Sequence, residues 1–177
     1  MHLQEEILKE HLKKQTDKIA AWVCKDKVRF KELMHLFFHG EYRVVQRGAW
    51  IVKQVAVQKP EWIRPYLKKM FLYCRQPVHD AVKRNVMNIM QFQILPASLQ
   101  GIAATICFDF LATPELPVAI KVFSMTVLYN ITLQQPDLRH ELKTVLEEQM
   151  EYSKPAFKSR GKKVLRQLTV DADPLST

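Results

Sequence analysis

Glycine is scarce in this chain, which has only four glycines among its 177 residues. None of them lies in a G-x-G-x-x-G or G-x-x-x-x-G-K-[ST] pattern, the glycine-rich loops that bind nucleotide phosphates. The G-x-S-x-G pattern that carries a serine nucleophile is also absent. The sequence therefore predicts no cofactor, no small-molecule substrate and no enzymatic activity.

Cysteine is also rare, with three residues that form no C-x-x-C pair. An odd number of widely spaced cysteines suggests neither a zinc site nor a disulfide framework. Cys74 and Cys107 lie on apolar helical stripes, where a free cysteine behaves as a small hydrophobe. We expect both to be buried free thiols.

Long apolar runs are missing. Residues 1–6 contain no basic region followed by an apolar one, so they do not read as a signal peptide. The most apolar stretch, residues 101–112, is interrupted by Asp109 and is too short to span a bilayer. The sequence favours a cytoplasmic protein without a membrane partner.

Positive charge is what the chain has in excess. It carries 27 Lys and Arg against 18 Asp and Glu, which gives a formal net charge of +9. The densest block, residues 154–167, holds six basic side chains and no acidic one. Such a block attracts polyanions. It is equally typical of a solvated face on a terminal helix, so both interpretations stay open.

A period of about 37 residues organises the chain. Shifts of 37, 37 and 39 take Arg47 to Arg84, Lys121 and Arg160, and the apolar residues around each position follow helical spacing. Another amphipathic helix precedes each of these segments, with proline or glycine between the two. No period-two alternation and no N-G or D-G hairpin turn occurs. The pattern predicts an all-α protein built from helix pairs.

Prolines, glycines and candidate N-cap residues set the expected helix and repeat boundaries. Thr16, Asp26 and Asp137 are candidate N-cap residues, because a side-chain oxygen can accept from the first free N–H groups of a helix. We expect one domain over 1–168 followed by a flexible tail at 169–177. Within that domain we expect an atypical N-terminal cap and four repeats, with these bounds: cap 1–25; repeats 26–59, 60–95, 96–135 and 136–168.

Two acid–base spacings carry a family resemblance. Glu41 precedes Arg47 by six residues and Glu115 precedes Lys121 by six, which is similar to the acidic turn and basic second helix of HEAT repeats. The resemblance implies a right-handed α–α superhelix of about four HEAT-like (armadillo-type) repeats plus the cap. The whole chain is also similar to a small family of bacterial single-domain HEAT-like proteins, some of which are labelled adenylosuccinate lyase. The G-S-S-x-M-P loop of that lyase does not occur in this sequence.

In a HEAT array the second helices line the concave face. Arg43, Arg47, Trp50 and Gln54 are spaced by four, three and four residues and therefore share one helix face. The cations at the same phase of each repeat would continue this surface, or would bond the turns and join adjacent repeats without any ligand. The candidate binding residues of this basic concave stripe are Arg43, Arg47, Trp50, Arg84, Lys121, Arg160 and Lys163.

The favoured function is a non-catalytic binding or scaffold module whose basic stripe engages an acidic protein segment. The alternative is sequence-independent nucleic-acid binding, as in HEAT-like DNA alkylation-repair proteins. The glycosylases of that class use tryptophans and an acidic residue in a cleft, but neither Asp80 nor Asp109 is paired with a tryptophan by the sequence. His35 and His39 are spaced to share a metal, yet no third ligand is evident, so we expect no metal site.

Overall fold

The computed structural model describes residues 2–170, which form helices joined by short turns, without a strand in that range. Contacts divide the chain into two compact units, one ending at Ile89 and the other beginning at Met90. The all-α prediction is confirmed.

The first unit consists of an N-terminal helical pair followed by two longer pairs. Helix α4 packs against α1, α2 and α3, and its buried stripe includes Val44, Val52 and Val55. Phe37 of α3 and Phe71 of α6 are also fully buried in this unit. The helices of the first unit are α1 (Leu3–Lys9), α2 (Lys13–Val23), α3 (Lys27–His39), α4 (Tyr42–Gln58), α5 (Pro60–Ile63), a 3-10 turn (Arg64–Tyr66), α6 (Leu67–Cys74) and α7 (Asp80–Met90).

Hydrogen bonds join the two N-terminal helices, α1 and α2. The Gln15 amide donates to the backbone carbonyl of Glu6 at 3.0 Å and to its carboxylate at 2.9 Å, while Lys18 Nζ donates to the same carboxylate at 3.2 Å. The hydrogen bond from Gln15, followed by that from Lys18, lowers the pKa of Glu6. Helices α1 and α2 therefore form a joined cap, which packs on α4.

Only one of the three predicted N-caps forms. The Asp26 carboxylate accepts from the backbone N–H of Val28 at 2.8 Å, as predicted. The prediction was wrong for Asp137, whose backbone is already helical and whose side chain makes no capping bond. It was also wrong for Thr16, which is buried inside α2 because that helix begins at Lys13.

The second unit contains two further helix pairs. Helix α9 packs between α8 and α11 and also contacts α10. The core of the second unit includes Cys107, Leu128 and Phe157, each at most 1% exposed. Before the first helix of this unit, the segment 91–96 runs outside any helix. The helices of the second unit are α8 (Ala97–Ala112), α9 (Val118–Thr132), α10 (Leu138–Met150) and α11 (Pro155–Val170).

Cys74 and Cys107 are buried and neither forms a disulfide, as predicted, and burial raises the pKa of Cys74 to about 12. Among the described residues, no helix combines the length and the apolar character that crossing a membrane requires. Of the expected tail, Thr169 and Val170 belong to α11, and 171–177 lie outside the described residues.

Candidate binding surfaces

The N-terminal cap covers part of the polar stripe on α4. Arg47 Nη1 donates to the backbone carbonyl of Leu8 at 2.6 Å and to that of Ile7 at 3.4 Å. These carbonyls lie in the last turn of α1, where backbone oxygens lack helical partners and carry partial negative charge. The half-buried Arg47 therefore joins the first repeat to the cap and does not bond the turn acid Glu41.

The next two stripe residues also contact the cap. The Trp50 ring meets the His11 ring edge to face, with 5.5 Å between centroids. Gln54 Nε2 donates to Asp17 Oδ1 at 2.7 Å. Hydrogen bonds from Lys13 first, and then from Gln54, lower the pKa of Asp17. These contacts place the middle of the stripe against α2 and the loop that precedes it.

Two predicted basic side chains of the first unit are exposed to solvent and have no bonding partner among the described residues. Arg43 and Arg84 are exposed, and neither forms a hydrogen bond or ion pair with a described residue. Burial lowers the pKa of His11, and the positive charges of Arg47 and Arg84 lower it further. The lowered pKa favours the neutral form of the His11 ring, so Arg47 and Arg84 supply the positive charge around it.

In the second unit, the predicted cations Lys121 and Arg160 differ in their surroundings. Arg160 Nη1 donates to Thr126 Oγ1 and, at 3.4 Å, to Gln91 Oε1, so it is committed to contacts inside the unit. Lys121 lines an open groove of about 780 Å³ that also contains Glu115. Burial lowers the pKa of Lys121, and the nearby Glu115 partly opposes that shift.

The basic block of the sequence becomes the outer face of α11. The inner face of this helix buries Phe157, Gly161, Val164 and Leu168. Among residues 2–170, none of the block's cations has an ion-pair partner. Four of them are exposed on or just before the helix: Lys154, Lys162, Lys163 and Arg166.

The two spaced histidines lie beside a lysine. The His35 and His39 rings are 5.1 Å apart, and Lys69 Nζ lies 3.3 Å from His39 Nε2. A neighbouring ammonium group disfavours a bound cation by charge repulsion. In the described part of the chain, no cluster of three metal-ligating His, Cys, Asp or Glu side chains occurs.

One feature of the second unit was not predicted from the sequence. Segment 91–96 and helices α8 and α9 enclose a cavity of about 300 Å³. Gln91 and Gln93 of this segment are buried, whereas Phe92 and Ile94 are 74% and 84% exposed. The available signal was the composition of this short stretch, in which two glutamines lie next to exposed apolar residues, and four residues are too few to identify a site.

Successive helix pairs joined by short turns, with a further short pair at the N-terminus, define a helical-repeat protein. The family model of the HEAT repeat domain matches residues 3–168, which is nearly the whole chain. The chain therefore belongs to the HEAT repeat family, and the resemblance predicted from its turn acids and second-helix cations is confirmed. Comparison with curated proteins and with solved structures gives no match.

Proposed function

We propose that this HEAT-repeat protein is a non-catalytic binding module that engages an acidic protein segment through exposed cations of its second helices. Membership of the HEAT family supports a repeat scaffold or binding module. The observation that carries the finer proposal is the outer face of α11. Its exposed cations Lys162, Lys163 and Arg166 have no ion-pair partner among the described residues.

Unpaired cations are better suited to a partner than paired ones. A partner's carboxylates need not displace an internal acid, and complementary charge both steers encounter and selects the partner. In the first unit, exposed Arg43 and Arg84 offer the same property. Arg47 and Arg160 do not, because their guanidinium groups already donate to groups within their units. We therefore propose that the acidic partner contacts only the exposed cations that have no bonding partner within the described residues.

Nucleic acid is the second candidate, and the same face of α11 favours it. A run of lysine and arginine without an acidic neighbour fits a phosphate backbone, and such binding weakens steeply as salt rises. Helix α11 itself has no exposed aromatic ring on which bases could stack, because its one aromatic residue, Phe157, is 1% exposed. Tyr152, which precedes the helix, is 87% exposed. Because the helix that carries the cations has no ring of its own for stacking, we rank the acidic protein segment first.

Charge reversal on α11 tests the proposal. A fluorescein-labelled peptide rich in Glu and Asp would be titrated with the unmodified protein and with the triple variant K162E/K163E/R166E, using fluorescence anisotropy. The matched control is K14E/K25E/K31E, which changes the formal charge equally at exposed lysines that have no ion-pair partner. We expect the α11 variant to raise the Kd of the acidic peptide by about tenfold or more and the control variant to raise it by much less. The attraction between opposite charges falls with distance, so the cations that contact the peptide contribute most.

Two results would contradict the proposal. Equal weakening by the two triple variants would show that only net charge matters. Tighter binding of a short DNA duplex than of the acidic peptide at the same ionic strength, lost steeply with added salt, would favour the nucleic-acid alternative.

A further inference from the structure

The cavity of the second unit is electrically neutral in a strongly basic protein. No charged side chain lines its volume of about 300 Å³, although the chain carries a net charge of +9. Its apolar lining includes Leu95, Val127 and Ile131, each at most 5% exposed. A charged ligand would lose its hydration there, and the adjoining cation Arg160 already donates to Gln91 and Thr126.

Carboxamides supply the polar groups of this cavity, and most of them are satisfied. Gln100 Nε2 donates to the Leu95 carbonyl at 3.1 Å and to Gln134 Oε1 at 2.9 Å. Asn130 Nδ2 donates to the Gln91 carbonyl at 3.0 Å. These bonds fix the segment 91–96 against α8 and α9, so the cavity is held open by a connected polar framework.

Gln93 is the exception. Its side chain lines the cavity and is nine-tenths buried, yet it forms no hydrogen bond with any described residue. The amide atoms of Gln93 are not among the fully buried polar atoms without a partner, so they stay accessible to water, which a ligand can replace. The Gln93 carboxamide thus presents both a donor and an acceptor to whatever occupies the cavity.

Apolar side chains surround the opening. Phe92 is 74% exposed, Ile94 is 84% exposed and Leu133 is 51% exposed, and all three line the same cavity. Contiguous exposed apolar groups of this kind mark interaction sites more often than isolated ones do. The opening is therefore suited to an occupant that is apolar where it leaves the cavity.

We propose that this cavity binds an uncharged peptide segment. One aliphatic side chain of the segment packs on Val127 and Ile131, and the adjoining peptide group bonds to the Gln93 carboxamide. A peptide group matches a carboxamide because each has one N–H donor side and one carbonyl acceptor. The volume is at the lower end for small-molecule pockets and is adequate for a single side chain. This surface is separate from the outer face of α11, so the inference goes beyond the function proposed above.

The test is a titration of ¹⁵N-labelled protein, observed by NMR, with three acetylated and amidated tripeptides. Their central residues are leucine, glycine and aspartate, each flanked by glycine. We expect the leucine peptide to shift the side-chain NH₂ signals of Gln93 and the backbone signal of Ile94, and the other two peptides to shift them much less. Equal shifts with all three peptides, or no shift with the leucine peptide, would overturn the proposal.

A variant pair isolates the amide contact. Gln93→Met keeps the length of the side chain and removes its carboxamide, whereas Gln58→Met makes the same change at an exposed site on α4. We expect Gln93→Met to raise the Kd of the leucine peptide about three- to tenfold, the size of one neutral hydrogen bond, and Gln58→Met to leave it unchanged. An unchanged Kd in Gln93→Met would overturn the assigned role. If that variant does not fold, the three peptides on the unmodified protein decide the question.

Discussion

Arg47 donates a 2.6 Å hydrogen bond to the backbone carbonyl of Leu8, which lies in the last turn of α1. The two residues are 39 positions apart in the chain. A cation at a helix C-terminus satisfies a free carbonyl and interacts favourably with the helix dipole. One side chain of the first repeat therefore holds the N-terminal cap in place.

Replacing Arg47 by methionine should destabilise the first unit. The change removes a charged donor from two carbonyls of α1 while keeping most of the apolar stem. We expect a loss of about 1–2 kcal/mol in the free energy of unfolding, because hydrogen bonds to charged groups contribute at the upper end and Arg47 is only half-buried. Urea unfolding followed by circular dichroism measures it.

Arg43 provides the matched control for this measurement. It lies one turn earlier on α4, is exposed and has no bonded partner among the described residues. Arg43→Met should change stability by no more than about 0.5 kcal/mol. Equal losses in the two variants would mean that the contact with Leu8 contributes nothing specific.

Acid should weaken the same region through His11. Burial and the charges of Arg47 and Arg84 lower the pKa of His11 in the folded protein below its ordinary value of 6.5. The unfolded chain then binds the proton first, so this contribution to stability is present above pH 6.5 and is lost as the pH falls through the folded-state pKa.

The comparison is between the unmodified protein and His11→Gln. Urea unfolding of both at pH about 7.5 and about 5.5 brackets the ordinary histidine pKa. We expect the unmodified protein to lose more stability on acidification than His11→Gln does, with the other histidines common to both. An equal loss in the two proteins would exclude His11 as the source.

Two aspartates that look alike in sequence should respond differently to mutation. Asp26→Ala removes the carboxylate that accepts from the Val28 N–H and should cost about 1 kcal/mol. Asp137→Ala removes no capping bond and should change stability by less than about 0.5 kcal/mol. Thermal unfolding of both variants checks the difference, and a larger effect at Asp137 would contradict it.

The helical repeat was predictable because its signals are local. The periodic cations, and the prolines and glycine between apolar helical stripes, anticipated the paired helices and the family. The absence of a capping bond at Asp137 was not predictable from the sequence, because an N-cap needs an extended backbone, which residue type alone does not reveal. Here the N–H of Arg139 bonds to the carbonyl of Pro136, so the chain is already coiled when it reaches Asp137.

The candidate surface was less predictable because it depends on distant contacts. Helical spacing placed Arg47 and Trp50 on one face, but no spacing relates them to Leu8 or His11, which cover that face. The exposed cations of α11 were easier to anticipate, since a dense basic block without acids has little within the chain to pair with. Their role in binding stays a prediction.

The unpaired cations of α11 also have a kinetic consequence. Their field extends about a Debye length, roughly 8 Å at physiological ionic strength, beyond the helix surface. An acidic partner would be drawn in before any contact forms, so lowering the salt would accelerate association. Residence time would depend instead on the short-range contacts formed afterwards. A protein arranged in this way can find its partner quickly and still release it quickly.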